Sequence, residues 1–185
     1  MQWYIVLCVI VLAIAYVFFN YSKIKKMKEG TADMAEMAGI IRDGASTFIR
    51  TEYRTIAIVI AILAVVFTLF IEKTSGITFI FGATMSSVVC ILGMRSATYA
   101  NVRTANKARE TLSIGETVKV ALCGGSISGL SVQAFGMLGL VIVLIIWGID
   151  PKASSHGLLA NLECNPSIMR ISTYSLGCSM VAMFN

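Results

Sequence analysis

The sequence predicts an all-α integral membrane protein: four transmembrane helices and the start of a fifth, with a cytoplasmic amphipathic helix before the second. Three observations carry this. Of the 185 residues, 57% are hydrophobic and only 14% charged, against about 25% charged in a typical soluble domain. The apolar residues are gathered into blocks long enough to cross a bilayer, about 17–25 residues. The net charge of +5 sits beside those blocks, as expected of membrane-helix flanks. It forms no basic stripe interleaved with aromatics, so no nucleic-acid partner is expected.

The first block runs over residues 3–19. Nothing basic precedes Trp3, whereas Lys23, Lys25, Lys26 and Lys28 follow it. That is the reverse of a secretory signal peptide and reads as an uncleaved span. Blocks at 55–71, 77–94 and 127–149 contain no Asp, Glu, Lys or Arg. A partial fifth block covers 170–185. The whole chain, 1–185, reads as a single membrane region.

Before the second span, Met34, Met37, Ile41, Ala45 and Phe48 recur at helical spacing, with Glu36, Asp43 and Arg50 on another face. Thr31 is the expected N-cap and Asp33 lies in the first turn. This helix is expected to run on through Glu52, Tyr53 and Arg54. Residues 72–76 form a tight turn between spans two and three.

Basic residues set the orientation. The connection between spans one and two carries the four lysines with Arg42, Arg50 and Arg54. The connection between spans three and four carries Arg95, Arg103, Lys107, Arg109 and Lys119. The opposite side holds Lys73, Lys152 and Arg170. Twelve against three places both long basic loops in the cytoplasm and the N-terminus outside.

Little in the chain points to chemistry. Cys8, Cys90, Cys123, Cys164 and Cys178 form no CxxC pair, and those in apolar runs behave as small hydrophobes. His156 has no neighbouring partner, so neither a zinc site nor a Cys/His nucleophile is supported. Gly82, Ser86 and Cys90, then Gly125 and Gly129, then Gly136 and Gly139 are spaced for close helix packing. Cys-Gly-Gly-Ser at 123–126 lacks the Lys and the spacing of a phosphate loop. Gln133 is the one amide inside a span, expected to bond a neighbouring helix or, less simply, to line a pore. Glu29, Asp33, Glu36, Asp43 and Glu52 read as a solvated face, not a magnesium site. No catalytic, cofactor-binding or metal-ligating residue is assigned.

Three stretches carry a resemblance. "IIRDGASTFIRTEYRTIAI" (40–58), "GMRSATYANVRTANKAR" (93–109) and "CGGSISGLSVQAFGMLGL" (123–140) resemble, in order, the N-terminal quarter of the membrane-bound, ion-translocating inorganic pyrophosphatases. "YSLGCSMVAMFN" (174–185) is similar to the start of that family's fifth helix. The resemblance implies a sixteen-helix, homodimeric parent that hydrolyses magnesium-pyrophosphate on the cytoplasmic side and pumps protons or sodium. It implies that these helices belong to an outer ring and pack against lipid and the parent's remaining helices. Mg2+ would be held by inner-ring carboxylates beyond Asn185, so this chain supplies no ligand to it and is expected to be inactive alone. The alternative is a small four-helix membrane subunit acting through interactions. A small multidrug-type transporter would need an intramembrane carboxylate, and the spans have none.

Overall fold

The computed structural model describes residues 2–71, 73–146 and 166–183. Among these, every regular element is an α-helix: α1 Gln2–Lys25, α2 Ala32–Phe70, α3 Ser75–Thr111, α4 Ile114–Ile146 and α5 Pro166–Met183. The first four are long and apolar enough to cross a membrane. Only 11% to 28% of each apolar window is buried within the chain itself, so other apolar matter must cover the rest.

The principal departure from expectation lies between the spans. The two long basic loops are mostly helix, interrupted at residues 26–31 and 112–113. α2 has 39 residues and α3 has 37, about 58 and 55 Å at 1.5 Å per residue, against a hydrocarbon core of about 30 Å. The surplus is the basic sequence. What reads as a loop over 95–119 is the end of α3, a two-residue connection and the start of α4. Leu112 makes the connection with φ 49°, a left-handed conformation uncommon outside glycine.

The stretch that the sequence suggested as an amphipathic helix is likewise the first part of α2, which runs without a break into the second apolar block. Its inward side differs. Met37, Ile41 and Phe48 are exposed, while Ala38 is buried. The polar contacts of Arg42, described below, hold that neighbouring side inward. At the helix start, Thr31 Oγ1 accepts from the Met34 N–H at 3.4 Å and Asp33 sits in the first turn, as the N-cap reading requires. Gly30, just before, has φ 103°. A Cβ there would lie 2.8 Å from Asn106 Oδ1, so glycine answers to both backbone and space.

The chain divides into two compact units. The first, residues 1–52 and 88–134, contains α1 and parts of α2, α3 and α4. Its apolar cluster is Val17, Ile24, Ala100 and Ile127, flanked by Tyr21, Tyr99, Cys123 and Leu130. Tyr21 and Tyr99 meet edge to face at 6.1 Å. Polar pairs tie the helices beside it: Asn20 Nδ2 donates to Ser126 Oγ at 3.1 Å, and Ser96 Oγ donates to the Gly124 carbonyl at 3.1 Å.

The second unit, residues 53–87 and 135–185, holds α5 and the rest of α2, α3 and α4. Ile56, Ala83 and Val181 form its buried cluster, with Ile60 against it. Phe67 and Phe79 pack edge to face, centroids 4.9 Å apart. Small residues make the close approaches. A Cβ on Gly82 would collide with the Tyr174 backbone, and one on Gly177 with the Phe79 carbonyl and the Ala83 nitrogen. Thr78 and Thr173 hydroxyls share a buried hydrogen bond of 2.7 Å. In an apolar surround such a bond spares two polar groups the cost of standing unsatisfied.

Candidate functional site

The most structured polar assembly is in the first unit, where the basic ends of α1, α3 and α4 meet. α1 ends in lysines because its spanning sequence ends there, and its last carbonyls have no helical partner. Arg103, one of the predicted flank charges, supplies it. Its side chain is 4% exposed. Nε donates to the Met27 carbonyl at 3.0 Å, Nη1 to the Tyr99 carbonyl at 2.8 Å, and Nη2 to the Lys25 carbonyl at 3.3 Å and Glu29 Oε1 at 2.9 Å. A planar fork with five donors can do this and an ammonium cannot.

Arg42 completes the group. Its Nη2 pairs with Glu29 Oε1 at 2.5 Å, and its guanidinium lies 4.6 Å from the centroid of the Tyr99 ring. The Arg103 guanidinium is 5.3 Å from the same ring. One carboxylate and one aromatic ring thus offset two arginines. The Arg42 hydrogen bond, followed by the charges of Arg42 and Arg103, holds the Glu29 carboxyl below its ordinary range against the opposing pull of burial. Glu29 is therefore ionised and paired, not part of a freely solvated face as the sequence suggested.

Beside this assembly is an open cleft of about 480 Å³. Lys23, Lys26 and Lys28 from the α1 end, Arg103 and Lys107 from α3, and Lys119 from α4 line it, with Glu110, Glu116, Met27, Val120 and Cys123. Glu116 accepts from Lys119 Nζ at 2.8 Å, and Glu110 accepts from Asn106 Nδ2 at 3.0 Å. The Lys119 contact draws the exposed Glu116 carboxyl down and raises Lys119. The lining is predominantly cationic. It offers attraction to an anion but no convergent carboxylates to hold a hard metal ion or activate water. Among the described residues no three of His, Cys, Asp or Glu come together.

The other residues singled out from sequence fall as follows. Cys8, Cys90, Cys123 and Cys178 are free thiols; Cys164 and His156 lie outside the described residues. Cys-Gly-Gly-Ser at 123–126 is interior to α4 and forms no loop. Gln133 is exposed. Of the spaced glycines, Gly82 and Gly139 are close-contact positions, Gly139 against the Tyr174 ring, but Gly125, Gly129 and Gly136 have open space where a Cβ would stand. Gly124, whose Cβ would lie 2.5 Å from that of Ala100, and Gly93, against Ser128 Oγ at 2.8 Å, take the packing role instead. The Arg103 assembly was not readable as a site. It joins groups up to 78 residues apart, and only the density of charge on both connections signalled it.

The sequence profile described as inorganic H+ pyrophosphatase matches residues 11–185. A K(+)-stimulated pyrophosphate-energized sodium pump of Thermotoga maritima is 41% identical over 181 residues, covering 94% of this chain and 24% of that protein. A putative pump of the same description from Clostridium tetani is 34% identical, covering 94% of this chain and 23% of its own length. A K(+)-insensitive pyrophosphate-energized proton pump of Moorella thermoacetica is 31% identical, with 94% and 24% covered. The chain spans about a quarter of the length of the curated relatives it matches.

Proposed function

Because this integral membrane chain belongs to the inorganic H+ pyrophosphatase family, we propose that it is the N-terminal, outer-ring portion of a pump that couples pyrophosphate hydrolysis to the movement of protons or sodium, and that this portion alone does not hydrolyse pyrophosphate. The observation that carries the reading is the family match over residues 11–185. The lack of converging carboxylates among the described residues supports the second half of it. Hydrolysis needs a positioned water, a carboxylate to activate it and oxygen ligands for magnesium. Those belong, on this proposal, to other helices of the parent, which would act as a homodimer. The contribution of this chain is mechanical: helices that pack against their neighbours and lipid, and charged extensions that fix their ends.

The proposed orientation puts the N-terminus outside and the helical extensions and short connections that together carry twelve of the fifteen Lys and Arg residues in the cytoplasm. A membrane-impermeant thiol reagent on intact cells then modifies Cys164 and spares Cys123; labelling of Cys123 alone would reverse the topology. The functional test is a chimera in which this chain replaces the matching quarter of the Thermotoga maritima relative. Pyrophosphate-driven ion uptake in vesicles is the expected result. A folded, membrane-inserted chimera that neither hydrolyses nor pumps would count against the assignment.

A further inference from the structure

The cationic cleft of the first unit is unlike the other charged surfaces of the chain. The C-terminal end of a helix is the negative end of its dipole and ordinarily repels an anion. Here Arg103 already covers the Lys25 and Met27 carbonyls, so the lysines beside them are not spent on that work. The two acids in the lining are also engaged, Glu116 with Lys119 and Glu110 with Asn106. Lys23, Lys26, Lys28 and Lys107 are left without a carboxylate in ion-pair distance among the described residues. Glu110, bonded only by a neutral amide, keeps its charge, and Lys107 acts on Glu116 from a distance, so the lining keeps a clear excess of positive charge that suits a multiply solvated anion such as a phosphate.

The position of the cleft selects among phosphates. Lys23 and Lys26 of its lining follow the apolar part of α1, which ends at Phe19, within about two helical turns, and its α4 wall, Val120 and Cys123, leads into the apolar sequence that begins at Ile127. The lining therefore grades from cationic to apolar along the direction in which a lipid grades from headgroup to acyl chain. A free phosphate would use the first part only. Lysine clusters immediately beside a spanning helix attract anionic headgroups by about 1 kcal/mol each.

We propose that this cleft holds the headgroup phosphate of an anionic phospholipid, seated by Lys26, Lys28 and Lys107. The proposal rests on the membrane assignment and on neither hydrolysis nor pumping, so those activities and this site fail or stand separately.

The test uses the full 185-residue chain in detergent, exchanged with equimolar phosphatidylglycerol and phosphatidylcholine, with bound lipid counted by native mass spectrometry. Wild type should retain phosphatidylglycerol in preference. Lys26→Gln should lower that preference about fivefold, and the double variant with Lys107→Gln about twenty-five-fold. Lys26→Arg should keep it. Lys25→Gln removes the same charge one residue away, outside the cleft, and should change the preference less than twofold; circular dichroism checks that each variant is folded. An equal loss in Lys25→Gln would mean diffuse charge and overturn the site. So would the absence of any preference in wild type. Inorganic phosphate or pyrophosphate that displaced phosphatidylglycerol at micromolar concentration would assign the cleft to a soluble anion and overturn the lipid.

Discussion

The two units of the chain share close small-residue packing but differ in what is added to it. In the first, beside Gly124 against Ala100 and Gly93 against Ser128, there is charge: Arg103 and Arg42 converge on Glu29 and the Tyr99 ring, and Arg103 also takes three backbone carbonyls. In the second, Gly82 and Gly177 let backbones approach, Gly139 accepts the Tyr174 ring, and Tyr174 donates to the Gly136 carbonyl at 3.0 Å. The difference follows the sequence of the contact regions. Around Glu29 the chain is rich in Lys and Arg, where an ion pair can be made; around Tyr174 it is apolar, where a lone charge is costly and helices gain most from contact and from a few hydroxyl or carbonyl bonds.

Replacing Arg103 should have the largest effect on stability. Arg103→Met leaves the Lys25 and Met27 carbonyls without their donor and gives Glu29 only one partner. About 3 kcal/mol of stability should be lost, as for removal of one member of a buried pair. Arg103→Lys should recover less than half, because one ammonium cannot reach all four acceptors. Denaturant titration in detergent, followed by circular dichroism, reads both. A loss under about 1 kcal/mol would demote the assembly to a surface feature.

Close contact at the glycines should come next in size. Gly82→Leu should cost about 1–3 kcal/mol by overpacking against the Tyr174 backbone. Gly129→Leu, with nothing near its Cβ, should leave this chain's stability unchanged in the same titration. Equal effects at the two positions would mean that glycine spacing, not contact, governs.

A smaller effect is set by pH. The folded-state pKa of Glu29 is lowered from 4.5, first by Arg42. A depressed carboxylate contributes stability that is present above the unfolded pKa and lost as pH falls through the folded one. Wild type should therefore lose stability below about pH 4.5 relative to Glu29→Gln. The loss should be under about 1 kcal/mol, since Glu29 remains 26% exposed. Melting temperatures from pH 7 to pH 3 test it; parallel curves would show that the pair contributes nothing. Least of all should come from Glu116→Gln, whose fully solvated partner Lys119 predicts no measurable change in melting temperature.

The spans were legible because lipid imposes a pattern that survives without tertiary information: long apolar runs with charge at their ends. The helices between them were not, because an apolar window stops where Lys and Arg begin, although α3 continues through Ala97, Ala100 and Ala108 to Thr111. Thr31 was legible as a cap since capping is local. The inward side of α2 was not. Periodicity nominated Met37, Ile41 and Phe48, yet the partners of Arg42 lie in the α1–α2 connection and on α3. Spacing also selected Gly129 over Gly124, and only a neighbour such as Ala100 distinguishes them.

The central claim is that this chain supplies helices and not the hydrolytic site. Phosphate release from pyrophosphate by the purified 185-residue chain in lipid, with and without magnesium, tests it most directly. Release no greater than that of a heat-denatured control is expected under both conditions. Magnesium-dependent turnover well above that control would contradict it.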